Sequence, residues 1–146
     1  MPCNLYGVYD YFDVEKSHVI PAMILKLHQA KERGDRQVTL WGTGKPLREF
    51  LYVDDLAEGL IHLLKNYSDG VPINIGSGEE ISIADLAHKI KTVVGFDGEI
   101  LFDDTKADGA PRKLLDNTRI NALGWCSETP LDKGLGKAYQ YFLSCV

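Results

Sequence analysis

Apolar residues recur at helical spacing in several stretches of the chain and gather into short runs between them, so helices and strands should alternate. Ser17 can cap a helix running to about Arg33, with Ile20, Ile24 and Leu27 on one face and Gly34 as its stop. Asp54 or Asp55 caps the next, where Leu56, Ala57, Leu60, Ile61 and Leu64 form a broad apolar stripe closed by Ser68-Asp69-Gly70. Ser82-Ile83-Ala84-Asp85 is a capping-box variant with aspartate where Glu or Gln is usual, opening a helix with Leu86, Ile90 and Val93 inward. Asp116 caps a short helix ending near Gly124. Thr129 as N-cap with Pro130 at the first helical position opens the last helix, with Leu131, Leu135, Ala138 and Phe142 inward.

Between these helices the pattern predicts strands. Cys3 to Val8 reads as the end of one, and Val38 to Trp41, Val71 to Ile75 and Glu99 to Phe102 as three more. Residues 9–16 form an acidic, aromatic loop, and residues 105–113 a polar loop containing Gly and Pro. The expected class is α/β, with no repeat, low-complexity tract or internal domain boundary.

Composition narrows the function more than the fold. At 146 residues, 45% hydrophobic and 25% charged, the chain is one domain or a piece of one. A net charge of −5 argues against nucleic acid as the main partner, while leaving room for a small anion held by a local cluster of cations. Cys3, Cys126 and Cys145 are odd in number and lack paired spacing, so neither a disulfide framework nor a metal site is expected. No apolar stretch approaches membrane-spanning length, and Met1-Pro2-Cys3-Asn4 does not read as a signal peptide. The expected setting is cytoplasmic, without a membrane partner.

Candidate chemistry concentrates in the run from Trp41 to Ala57, which places glycines, an indole and a cation close together. The Arg48 guanidinium presents a fork that matches phosphate oxygens, or else pairs with Glu49 or Asp54. Trp41 either stacks on a base or packs beneath the sheet, and Lys26 taken alone reads as a solvated lysine. Arg112 and Lys113, behind Asp108-Gly109-Ala110-Pro111, make a second basic spot on a loop suited to closing over a ligand. His18 sits at a helix start. Gly42-x-Gly44 and Gly76-x-Gly78 each follow a strand, but neither completes the glycine-rich dinucleotide turn with a helix behind it, so both read as turns.

Pro2-x-Asn4-Leu5-Tyr6-Gly7, Asp10-x-Phe12, Ser17-His18-Val19-Ile20-Pro21 and the Trp41–Ala57 run together resemble the extended short-chain dehydrogenase/reductase superfamily. Lys106-Ala107-Asp108-Gly109-Ala110-Pro111-Arg112-Lys113-Leu114-Leu115-Asp116 and Leu123-Gly124-Trp125 narrow the likeness to its GDP-L-fucose synthase family, over essentially all 146 residues. The resemblance implies the substrate-binding C-terminal portion of that fold, with the last elements of an incomplete Rossmann sheet. It implies one partial unit over residues 1–146, without the N-terminal dinucleotide-binding domain. By the same likeness His18 would be the acid of the epimerisations. Pro2, Asn4 and Leu5 would line the nicotinamide side of an NADP site. Lys26, Trp41, Arg48, Asp108 and Lys113 would contact a GDP-sugar.

The chain also departs from the family pattern. Cys3 stands where threonine is usual and Val8 where proline is usual. No tyrosine in the 146 residues is followed four positions later by lysine, the pair that would donate a proton during ketone reduction. The expected function is therefore the GDP-sugar-binding part of an NADPH-dependent epimerase-reductase, inactive alone. The alternative is a non-catalytic nucleotide-sugar binding or interaction module. The strand ending at Leu5 and the helix after Asp55 would normally pack on further sheet, so self-association or pairing with a separate N-terminal half is also expected.

Overall fold

The computed structural model describes residues 1–14 and 16–146. Strand β1 (Asn4–Tyr6) leads through a loop to helix α1 (Val19–Arg33), followed by β2 (Gln37–Trp41) and β3 (Leu47–Tyr52). Helix α2 (Val53–Asn66) runs straight on from β3. The chain continues with β4 (Glu80–Ser82), α3 (Ile83–Val94), β5 (Glu99–Asp103), β6 (Arg112–Lys113), α4 (Thr118–Ala122) and α5 (Leu131–Cys145). Helices and strands interleave as expected of an α/β chain, although β2–β3, β5–β6 and α4–α5 follow one another directly.

Strand β3 is the hub. Its second half pairs in parallel with β1, Asn4 opposite Phe50 and Tyr6 opposite Tyr52. Its first half takes β4 on one edge, antiparallel with Leu47 opposite Ser82, and β6 in parallel, with Leu47 opposite Arg112. Strands β2 and β5 form a separate parallel pair, Gln37 opposite Glu99. Because strand side chains alternate between faces, β3 is buried on both. Phe50 and Tyr52 enter the larger core with α1, α3 and α5, while Leu51 enters a smaller one with Ile73, Ile75, Ile120 and Trp125.

The larger core follows the periodicity closely. Ile24, Leu27, Leu86, Ile90, Leu135 and Phe142 are essentially inaccessible to solvent. Full burial of each such side chain contributes about 1.5–3 kcal/mol. Helix α1 stops at Gly34, whose left-handed backbone (φ 67°) lets its N–H reach back to the Ala30 and Lys31 carbonyls. Helix α3 starts as the sequence indicates, with the Ser82 hydroxyl accepting from the Asp85 N–H at 3.0 Å.

Four expectations move. His18, not Ser17, is the N-cap of α1, because the Ser17 hydroxyl donates to the Asp13 carbonyl instead. Tyr52 precedes α2, and Asp55 turns away from its own helix end to bind residues 128–129. Asn117 precedes α4, while Asp116 closes a local turn onto the Thr118 N–H at 2.9 Å. Pro130 is the N-cap of α5 rather than its first residue, since the Thr129 hydroxyl is spent on Asp55.

Two larger differences concern α2 and the segment behind it. Helix α2 fully buries only Asp55 and Gly59; of its predicted apolar stripe Leu56 packs partly buried on the smaller core, while Leu60, Ile61 and Leu64 are 50%, 45% and 85% exposed. The reason is close approach. A Cβ on Gly59 would overlap Ile75 and press on Trp125, so this bare backbone face is what lets the helix settle on the smaller core. Of the expected strand from Val71 to Ile75, only Ile75 pairs, in a parallel bridge with Pro2. Pro72 has no N–H to offer a ladder.

Candidate functional site

Lys26 from α1, Trp41 from the end of β2, Arg48 from β3 and Asp108 from the loop before β6 line one cleft of about 500 Å3. Met23 and Ile83 supply apolar wall. That volume lies within the usual range for small-molecule sites. Residues spread over more than eighty positions of sequence meet here because β3 sits between α1 and the 107–109 segment.

Arg48 is half-buried and makes no ion pair with Glu49 or Asp54 among the described residues, which removes the bland reading of this cation. Instead Nη1 donates to the Leu47 carbonyl at 2.7 Å and the Ala110 carbonyl at 2.6 Å. Two neutral carbonyls fix one side of the guanidinium without neutralising it. Its charge and remaining N–H groups stay available to an anion.

Lys26 is partly buried on the same wall, and no carboxylate pairs with it among the described residues. Burial holds its ammonium below the ordinary lysine pKa. A desolvated cation with no partner is a cost to the free fold that a bound anion would remove.

Asp108 is committed inside the protein. Its carboxylate accepts from the Thr43 N–H at 2.9 Å and the Thr43 hydroxyl at 2.6 Å. The hydroxyl bond, then the N–H, and more weakly the charges of Lys45 and Arg48, hold its pKa below the usual carboxylate range. This clasp fixes the turn after β2, where Gly42 (φ 83°) leaves room that any Cβ would take from the Asp108 carboxylate. Trp41 is 69% exposed and so does not pack beneath the sheet. The Lys106 ammonium lies 6.0 Å from its ring centroid, at the reach of a cation–π contact. An exposed indole beside two cations suits a ligand with a flat ring and a diphosphate.

The remaining sequence candidates fall elsewhere. His18 is exposed at the α1 N-cap and lines a second, smaller cavity of about 190 Å3 with Leu5, Tyr9 and Asp10. Its neighbours Ser17 and Val19 line the Arg48 cleft, so the histidine stands between the two cavities. Tyr9 holds a left-handed backbone (φ 62°), a strained conformation for a non-glycine residue. Asp10 is pushed up by burial, against smaller lowering effects of the Tyr11 N–H and the His18 charge.

For a nicotinamide ring, Leu5 offers apolar surface beside His18, and Pro2 is exposed next to the Ile75 bridge. Asn4 spends its amide N–H on the Glu49 carbonyl at 2.8 Å, leaving its side-chain oxygen as an acceptor. These residues fit the ring end of such a cofactor and offer no phosphate cradle. Lys113 lies on β6, opposite Arg48 in register, and does not line the cleft. Arg112 is taken by Glu80 in a two-point ion pair at 2.7 Å.

Sequence reasoning passed over Thr43, the partner of Asp108, and saw in Glu49 only a possible ion-pair partner for Arg48, whereas its carboxylate is fully buried. The signal for Glu49 was a lone acid opening the apolar run Phe50-Leu51-Tyr52, a stretch the pattern did not predict as a strand and that forms the second half of β3.

The family model described as NAD dependent epimerase/dehydratase family matches residues 1–76. Over all 146 residues the chain is 48% identical to "Probable GDP-L-fucose synthase 1" of Oryza sativa subsp. japonica, covering 44% of that protein. It is 45% identical to "GDP-L-fucose synthase" of Escherichia coli (strain K12), with 98% of this chain covering 47% of that protein. Among solved structures, a GDP-L-fucose synthetase from Naegleria fowleri bound to NADP superposes with a TM-score of 0.92 at 36% identity, over 98% of this chain and 45% of that one. The chain thus spans less than half the length of each of these three relatives.

Proposed function

The chain belongs to the NAD dependent epimerase/dehydratase family, and from that premise we propose that it is the GDP-sugar-binding part of a GDP-L-fucose synthase. The observation that carries the proposal is the convergence of Lys26, Trp41, Arg48 and Asp108 on one cleft. All four are positions where the sequence resembles that family's substrate site.

In this reading the Arg48 fork and the Lys26 ammonium hold the diphosphate, and Trp41 faces a flat ring. Asp108 acts from behind by fixing the Thr43 turn. His18, exposed at the cavity it shares with Leu5, acts as the acid that gives a proton to the sugar carbons beside the ketone. Pro2, Leu5 and the Asn4 side-chain oxygen face the nicotinamide end of NADP. When bound, NADPH supplies the hydride that reduces the ketone. Lys113, outside the cleft, serves the substrate only if the 107–113 segment shifts. A Tyr–Lys proton donor has no candidate among these 146 residues. The chain therefore contributes substrate binding and the epimerising histidine.

Calorimetric titration of the chain with GDP tests the proposal; a folded sample giving no heat overturns it. The pH dependence adds a signature of Lys26. Burial lowers its pKa in the free protein, and a bound diphosphate raises it again. Affinity should therefore be flat at neutral pH and fall as pH rises through the depressed free value, where binding must recruit a proton. A Lys26→Met variant should bind more weakly at neutral pH and lack that fall.

No helix among the described residues is long and apolar enough to cross a membrane. A cytoplasmic setting is part of the proposal. So is the cover for α2. Leu56, Leu60 and Leu63 line an open apolar groove of about 490 Å3 with Met1 and Pro2, beside the β1 edge. A second copy, or the further sheet that the longer relatives have length to carry, would bury it. Sedimentation showing a monodisperse monomer of the 146-residue chain would count against self-association.

A further inference from the structure

Glu49 is a fully buried carboxylate that no lysine or arginine touches among the described residues. Backbone and amide donors stabilise it instead. Oε1 accepts from the Gly78 N–H at 2.7 Å and the Asn117 amide at 3.1 Å, and Oε2 accepts from the Leu115 N–H at 3.0 Å. A Cβ on Gly76 would overlap the same carboxylate, so the 76–78 turn is moulded around it. One side chain therefore ties two separate segments, the 76–78 turn and residues 115–117, to β3.

The Leu115 bond has the widest reach. Leu115 follows β6, and besides the β6 pairing with β3 and the Arg112–Glu80 pair, the strap from Asp108 to Leu115 is held by three further hydrogen-bonded contacts. Asp108 clasps Thr43 at its start, Ala110 meets the Arg48 guanidinium at 2.6 Å in its middle, and Glu49 takes Leu115 at its end. The strap also sits tightly on the arginine, since a Cβ on Gly109 would come within 2.9 Å of Arg48 Nη2. Shifting the strap moves the carbonyl that aims the guanidinium.

We infer that Glu49 is a positioning residue for the nucleotide site, acting through Leu115 and the strap to fix the direction of the Arg48 guanidinium. The inference rests on the GDP-sugar reading for its ligand, but the anchoring itself is a property of the free protein. Glu49 touches no substrate. Its two oxygens serve donors on opposite sides, and a glutamine of the same shape has only one acceptor. The one remaining oxygen stays with the two donors of the Oε1 side, the Gly78 N–H and the Asn117 amide, so the Leu115 N–H is the donor abandoned.

The experiment is Glu49→Gln in the full chain, read by amide hydrogen exchange and by GDP titration. In the wild type, the Leu115 amide should be protected like the amides of β3, although it lies outside every strand. In Glu49→Gln, protection at Leu115 should drop while Gly78 and the core amides of Leu27 and Ile90 keep theirs, and GDP affinity should fall roughly tenfold. A purely structural role predicts otherwise. Ile90→Val, which loosens the core far from the strap, should lower the Tm and leave GDP affinity unchanged.

GDP affinity of Glu49→Gln within about twofold of wild type, or fast exchange of Leu115 in the wild type, overturns the inference. If the wild type binds no GDP, the nucleotide reading fails separately. Wild-type Leu115 exchange then decides the anchor, as it also does if Glu49→Gln does not fold.

Discussion

Replacing Arg48 by alanine is expected to weaken GDP binding by roughly a hundredfold, because one or two charge-assisted hydrogen bonds to phosphate are together worth about 3 kcal/mol. The loss should fall on affinity more than on stability. The guanidinium is half-buried and its bonds within the protein go to two backbone carbonyls, at Leu47 and Ala110. Arg48→Lys keeps a positive charge but not the fork, and should recover only part of the affinity. Calorimetry on the two variants checks this. Wild-type affinity in Arg48→Ala would remove the central cation from the proposed site.

Asp55→Ala should produce the opposite pattern, a large loss of stability with GDP binding retained. The Asp55 carboxylate is buried and accepts from the Glu128 N–H at 3.0 Å, the Thr129 N–H at 2.8 Å and the Thr129 hydroxyl at 2.6 Å. It joins the first turn of α2 to the segment that opens α5. Alanine leaves those donors without a partner, at a cost of about 2–4 kcal/mol in total. For a chain of this length the Tm should drop by roughly 10 °C. Asp55→Asn keeps one acceptor oxygen and should fall between the two. A Tm for Asp55→Ala close to wild type would mean that water replaces the carboxylate without penalty.

Glu49 and Asp55 also show what the sequence conceals. Helix periodicity located α1, α3 and α5, because their apolar faces are what the larger core is made of. The apolar stripe of α2 obeyed the same periodicity and misled, since burial there goes to Gly59, a residue without a side chain to announce it. Helix starts slipped where the capping side chain was spent elsewhere, in a local turn for Ser17 and Asp116 and on a residue seventy-four positions away for Thr129. Ser17 turned to Asp13 and Thr129 to Asp55, and helical periodicity contains neither choice. Lys26, Trp41, Arg48 and Asp108 were legible as a group through resemblance, and the fold brings them together. Lys113 has the same origin and lies apart, because β6 carries it along the edge of β3. That Asp108 would be spent on Thr43 was not legible, as that contact spans sixty-five residues.

The strand pairings set the order in which this chain can fold. β1 pairs with β3, β2 with β5, and β3 with β6, all in parallel, joining residue 4 to 50, 37 to 99 and 47 to 112. Each pairing requires a long loop to close before any ladder bond repays it, so folding should be slow for the chain's size. While β3 waits for β6, its edge is bare and the apolar side of α2 is already formed. Material refolded at high concentration will meet other copies through those surfaces first, and yield should improve with dilution.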